Sequence, residues 1–442
     1  MSLERARDLV AEHGIDTVEC VFPDVWGIPR GKRLPAGNFL KTAAKGYAIA
    51  SVSLVWDMHC FIFGTPFCPY DSGWPDMMAV PDLSTLRPVT WREGTALCVC
   101  DTIDEATHEP VAVSPRHILR RAVERVRAHG YEPLVGSEIE FHLCTPDWEP
   151  LYTGVHCYSI AKGSELEPVL RDIRVELEAF GIVVEASNAE YGPGQAEVNL
   201  AYGAPLEVAD STMIFKYVVK EIARRHGLRA TFMPKPYPLE AGNGLHIHQS
   251  LRELESGTNA FAATDLGEGP IRSSLMRRYL AGLLAHQVEL TAINCPTINS
   301  YKRVEDYSFS PTCVTWGGDN RTVAVRTIAA RGEASRLESR GASADSNPYL
   351  VVAGALFAGE DGLARELPLP EWTPGDAYVD ETSPRIPLTL AEALRELERS
   401  SFCRDRFGDL FVDTFLAMGR HEVDTFNRQV TDWEKTRYRE VM

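Results

Sequence analysis

Four stretches of this chain alternate polar and apolar residues with a period of two, the pattern of half-buried strands. In GSEIEFHLC, Glu138, Glu140 and His142 alternate with Ile139, Phe141 and Leu143. Gln195, Glu197 and Asn199 alternate with Ala196, Val198 and Leu200, and His246, His248 and Ser250 with Leu245, Ile247 and Gln249. Arg336, Glu338 and Arg340 flank Leu337 and Ser339. Each predicted strand carries chemistry on one side and core on the other.

Helical spacing predicts further elements. A short helix over 4–13 stops at Gly14, a strand covers 17–21, and the RGKR run of 30–33 follows a turn and leads into a second helix. Ser114 and Pro115 start a helix that Gly130 ends, with Ile118, Leu119, Ala122, Val123 and Val126 as its buried stripe. Helices over 165–180 and 208–226, one long helix over 275–293 and a buried helix from Pro348 complete the reading. Gly192-Pro193-Gly194 joins the strand of 183–189 to that of Gln195 as a hairpin. WGGDNRTVAVRT reads as strand, turn and strand, and residues 366–388 as a proline-rich loop. Strands and helices mix without βαβ regularity, and hairpins imply antiparallel pairing, so the expected class is α+β. The expected division is a small domain over 1–108 and a larger one over 109–442.

At 442 residues the chain exceeds one ordinary core. A net charge of -17 disfavours nucleic acid and anionic membrane as partners, since either needs a basic face. Against that acidic background, Arg303, Arg321, Arg326, Arg336 and Arg340 concentrate within a short span, which suits an anionic substrate. No apolar run reaches the roughly 18 residues of a membrane span, and MSLERARDLV reads as an amphipathic helix, so the expected location is cytoplasmic. Ten irregularly spaced cysteines read as reduced thiols.

The alternating strands bring Glu138, Glu140, Glu197 and Glu338 together with histidine, and Glu190 directly precedes the third strand. Such an oxygen-rich donor set suits Mg²⁺ or Mn²⁺ bridging phosphates and suits structural zinc poorly.

In order, the segments GSEIEF, EYGPGQAEVN, MPKP with GNGLHIHQS, NSYKRV, DNRTVAVR and RLESRGASADSNPYL resemble the glutamine synthetase family of the prokaryotic type. The resemblance implies a small N-terminal β-grasp domain over 1–108. It implies a catalytic domain over 109–442 whose antiparallel sheet forms an incomplete barrel. It implies a homo-oligomer of hexameric rings stacked as a dodecamer, with active sites shared between neighbours. ATP is the implied co-substrate, with two or more Mg²⁺ or Mn²⁺ ions per site. Glu140, Glu190 and Glu197 are implied ligands of one ion, and Glu138, His246 and Glu338 of the other. His248 and Ser250 resemble nucleotide contacts, Arg321, Arg326 and Arg336 phosphate-binding arginines, and Arg303, Arg340 and Gly242 the glutamate-binding set. His142 is read as structural, and Asn320 as shaping its own turn.

The sequence departs from ammonia-using members at two places. Where they carry an acid in the flap after NSYKR and another in the N-terminal domain, this chain has Phe309 and, on or beside the second position, Ala50. The expected activity is therefore an ATP-dependent ligation of glutamate to an organic amine, mono- or polyamine, through γ-glutamyl phosphate. This resembles the γ-glutamylpolyamine and γ-glutamylmonoamine synthetase branch. Arg321 and Glu190 are the expected catalytic residues, Glu190 as the acid that takes the amine's proton, with Tyr158 beside it. Asp57 and Asp306 are alternatives for that role. Glu305 or Asp306 would serve a second cationic nitrogen. Ala241 stands where many relatives have an asparagine that contacts glutamate. An ordinary ammonia-using glutamine synthetase is the alternative, and a non-catalytic relative a third reading. Tyr378 lies near the region of regulatory adenylylation, but its shortened, proline-rich surroundings do not support it.

Overall fold

A computed structural model describes residues 1–266, 269–329 and 332–442. Among the described residues the first sheet comprises β1 (Thr17–Pro23), β2 (Pro29–Pro35), β3 (Tyr47–Ala50), β4 (Asp76–Pro81), β5 (Arg87–Pro88) and β6 (Thr95–Asp104). Its order is β2-β1-β6-β4-β3, with β5 on β6 and β1 parallel to β6. Arg30–Arg33 does not merely precede a helix: it lies inside edge strand β2, and the helix Ala36–Thr42 follows. Charged residues are well placed there, because an edge strand exposes unpaired backbone that charge protects from aggregation.

The second sheet comprises β7 (Tyr131–Cys144), β8 (Val184–Ala189), β9 (Gln195–Leu200), β10 (Arg229–Thr231), β11 (Gly244–Glu253), β12 (Trp316–Gly318), β13 (Val325–Ile328) and β14 (Arg336–Ser343). Its order is β12-β13-β14-β11-β7-β9-β8, with β10 on β7. The four strands predicted from their alternation are thus four adjacent strands, β14-β11-β7-β9. Their apolar faces are buried, with Ile139, Phe141, Ala196, Val198, Leu245, Ile247 and Leu337 nearly inaccessible. Residues of β8 near one end of the path and of β13 near the other line one cleft, so the sheet curls into an incomplete barrel.

Helices pack outside it. The stripe of Pro115–Ala128 is buried as its spacing predicts, although the Ser114 side chain makes no capping bond; Pro115 at the first turn remains. Two expectations change. The long helix over 275–293 is two helices, Ser274–Ala285 and Thr291–Asn294. At the break the His286 ring lies 2.7 Å from Asp361, also meets Glu289, and stacks on Phe402 with centroids 3.5 Å apart. Those contacts fix a turn that local spacing does not reveal. The strand, turn and strand of 316–327 are more than a simple turn, because β12 and β13 pair in parallel and the 319–324 connection crosses over.

The two sheets' elements are bolted together through charge. Arg116, almost wholly buried, reaches Asp82 (2.8 Å), Asp101 (2.6 Å) and Asp210 (2.9 Å). Asn347 donates to the backbone carbonyls of Asp24 and Val25 (3.0 and 3.1 Å). Among the described residues no helix is long and apolar enough to cross a membrane.

Candidate active site

Strand register assembles the site. Antiparallel pairing sets His246 opposite Glu138, Glu138 opposite Asn199, Glu140 opposite Glu197 and His248 opposite Glu338. Because side chains alternate, all of these project from one face. All of them except His248 line a cleft of about 750 Å³ with Glu190, Gly242, Arg303, Phe309, Arg321, Arg326 and Arg340. His248, Ser250 and Arg336 line a neighbouring cleft of about 390 Å³. The two share Glu138, Glu185 and Asn199, so a ligand can extend from one into the other.

Charge within the cleft is unevenly balanced. Glu138 lies between His246 (3.7 Å) and His248 (2.9 Å); burial opposes its ionisation, but the two imidazoles outweigh it and hold the carboxyl well below its usual range. Burial likewise opposes ionisation of Glu338, yet Arg340 and the histidines bring it down to about 2, and Arg326 adds a bond at 2.9 Å. Glu197 goes the other way: burial and its neighbours Glu140, Glu138 and Glu190 push it up to about 9. Burial, then Glu140, raises Glu190 to about 7. Crowded carboxylates that retain protons are a site a divalent cation fits, since its charge replaces those protons.

Ligand atoms of Glu138, Glu197 and His246 lie within 4.8 Å of one another, as do those of Glu138, His248 and Glu338. These groupings overlap the two implied ligand sets without reproducing them. Glu138 belongs to both clusters, His248 joins the second, and Glu140 and Glu190 stand in the cleft outside either. Glu140 is instead held by the Gly244 N–H (2.6 Å) and the Gln195 amide (3.4 Å). Gln195 also donates to the Asn243 side chain, which receives the His142 ring at 2.9 Å, so His142 braces this network from the core.

Arg303 is buried, which disfavours its charged form, and its Nη1 has no hydrogen-bond partner among the described residues. A buried, half-satisfied guanidinium is suited to a ligand carboxylate. It passes two glycines closely: a Cβ on Gly242 would lie 2.9 Å from Arg303 Cγ, and one on Gly244 2.7 Å from its Nη2. Arg340 binds Glu338 and leaves its buried Nε without a partner. Arg321 is exposed at the cleft wall.

The family profile described as glutamine synthetase, catalytic domain, matches residues 112–438. The chain belongs to the glutamine synthetase family. It is 37% identical to a glutamate–isopropylamine ligase of a Pseudomonas species, over 99% of this chain and 98% of the relative. It is 39% identical to the γ-glutamylethanolamide synthetase GlnA4 of Streptomyces coelicolor, over 100% and 96%. A solved GmaS/ADP complex superposes with a TM-score of 0.86 at 31% identity, covering 97% of this chain and 98% of that one.

In this member of the glutamine synthetase family, Phe309, expected from the sequence at the flap, stands in the larger cleft. Phe309 sits at φ 62 with its ring half exposed and paired with Tyr191, centroids 5.0 Å apart. Glu190 lies in the same cleft, oriented by Asn188 (2.7 Å) and by the Cys157 thiol (3.6 Å), with Tyr158 beside them. Tyr191 and Cys157 escaped sequence reasoning because they sit in turns, where no periodicity marks a face, and Asn188 because it lies in β8, which the alternation did not single out. Ala241 lines the cleft. Ala50 is in β3 on the other sheet and lines neither cleft. Asp57 binds the backbone of its own loop and approaches His421. Glu305 faces Lys235 (3.7 Å), and Asp306 accepts from Thr312 (2.8 Å) near Arg385 (3.9 Å); neither carboxylate lines the cleft. Tyr378 is buried against Tyr307. Asn320 accepts from Thr322 within its turn and donates to the carbonyls of Thr373 and Gly375.

Proposed function

We propose that this chain is an ATP-dependent ligase that joins the γ-carboxylate of glutamate to a primary organic amine through γ-glutamyl phosphate. The observation that carries this reading is the aromatic pair Phe309–Tyr191 standing beside Glu190, where an ammonia site needs negative charge. The names of two relatives, acting on isopropylamine and forming an ethanolamide, support it.

Arg303 and Arg340 bind the carboxylates of glutamate, and Gly242 leaves room for the substrate beside Arg303. His248, Ser250 and Arg336 hold the nucleotide in the adjoining cleft, so its terminal phosphate points toward Glu138 and the larger cleft. Glu140, Glu190 and Glu197, and Glu138, His246 and Glu338, would hold divalent ions, Mg²⁺ or Mn²⁺, which would neutralise charge on the phosphate oxygens. Arg321 and Arg326 stabilise charge developing on the transferred phosphoryl group as the γ-carboxylate attacks it. An alkylamine with a pKa near that of lysine, about 10.4, arrives protonated, and Glu190 accepts that proton. The freed amine attacks the activated carbonyl and phosphate departs. We assign the catalytic domain to 109–442 and the β-grasp domain to 1–108, with ring assembly of the family type and a cytoplasmic location.

The test is phosphate release from ATP, Mg²⁺ and glutamate with ammonium, ethanolamine, short monoamines and diamines, with products identified by mass. Turnover with an organic amine well above ammonium supports the reading. Preference for ammonium overturns it.

A further inference from the structure

Resting on that ligase reading, we propose that Asp345 is a positioning residue that sets the Arg303 and Arg340 guanidinium groups at the spacing glutamate requires. Asp345 lies just beyond β14, two residues after Ser343, and touches neither cleft. Its carboxylate gathers three hydroxyls. Thr297 donates at 2.6 Å, Ser300 at 2.9 Å and Ser343 at 2.5 Å. Thr297 and Ser300 belong to the segment that delivers Arg303, and the Arg303 N–H itself bonds to the Ser300 carbonyl at 3.2 Å. Ser343 belongs to the strand that delivers Arg340. One carboxylate therefore ties together the two backbones that carry the clamp.

A third segment joins at the same place. The Ala344 N–H donates to the Asn243 carbonyl at 3.1 Å, fixing the Gly242 loop to the same corner. Lys216, from helix Pro205–Arg225, donates to the Ser346 carbonyl at 2.7 Å and so ties that helix to the same corner. The segment 297–303 contains only a single 3₁₀ turn, Ser300–Lys302, so side-chain bonds must hold what backbone ladders do not. Arg303 has few fixed bonds of its own, since its Nη1 is unpartnered, so its position depends on the turn beneath it. None of the three hydroxyls contacts the adjoining nucleotide cleft. The arrangement should therefore govern glutamate and leave ATP alone.

The experiment is steady-state kinetics of the full-length enzyme, varying glutamate and ATP separately with the best acceptor, alongside thermal melting. Misplacing a binding group by a fraction of an ångström to one ångström costs up to about a hundredfold, so Asp345→Ala should raise the glutamate KM about tenfold or more. The ATP KM should stay within about twofold. Asp345→Asn, which keeps an acceptor oxygen of the same shape, should recover most of the loss. If Asp345→Ala fails to fold, Ser300→Ala and Thr297→Ala each remove one donor and should raise the glutamate KM selectively by a few fold. Equal effects on glutamate and ATP, or a lower melting temperature with unchanged KM values, overturn the inference while leaving the ligase reading standing. A wild-type enzyme that joins glutamate to none of the acceptors overturns the ligase reading, and the inference with it.

Discussion

Replacing Phe309 with alanine is the most direct probe of the amine side of the cleft. Phe309 is 44% exposed, and its ring packs on Tyr191. Taking about 200 Å² for a phenylalanine side chain, the exposed part offers about 90 Å² to a bound alkyl group. At about 25 cal/mol per Å², full coverage is worth about 2 kcal/mol and half coverage about 1 kcal/mol. Phe309→Ala should therefore lower kcat/KM for isopropylamine-sized acceptors by about 5- to 40-fold. Ammonium has no carbon to lose, so its kcat/KM should change less than about twofold. Alanine is the right substitute because Phe309 holds a left-handed backbone at φ 62, which alanine tolerates no better; glycine would also relax the flap and confound the result. The assay is phosphate release at subsaturating amine with glutamate and ATP saturating. A uniform loss with ammonium and amine alike would refute the reasoning, as would no loss with the bulkier acceptor.

Other outcomes follow from the same geometry. Gly242→Ala would set a Cβ 2.4 Å from the Pro234 carbonyl and 2.9 Å from Arg303 Cγ, so glutamate saturation should weaken sharply while ATP binding is retained, read as separate KM values. In the metal-free protein Glu197 sits at about 9 and Glu190 at about 7, so divalent-ion binding near pH 7.5 should release about one proton and tighten as pH rises toward 9; calorimetry in buffers of different ionisation enthalpy reads this directly. His142, buried, is pushed down to about 4, so the unfolded chain takes up a proton below about pH 6.5 that the folded chain refuses. Stability should fall as pH drops from about 6.5 to 4, by up to about 3 kcal/mol from this residue, and urea unfolding of wild type against His142→Gln should show a shallower loss in the variant.

The alternation of Glu138, Glu140, Glu197, His246, His248 and Glu338 with buried apolar neighbours was sufficient by itself to place six site residues on one face each, because a strand's side-chain period is a local property of the backbone. Local also are the helix stripe of 118–126, the glycine stops and the Gly192–Gly194 hairpin. What only tertiary structure decided was which strands become neighbours, and in what register. His248 and Glu138 stand 2.9 Å apart because β11 pairs with β7, and this draws His248 into a cluster with Glu338 that no spacing along the chain foretells. The break at His286, the parallel pairing of β12 with β13, the aromatic pair Tyr191–Phe309 and the Asp345 junction share that origin. Each depends on contacts between residues far apart in sequence, whose energies enter only once the chain has closed around them.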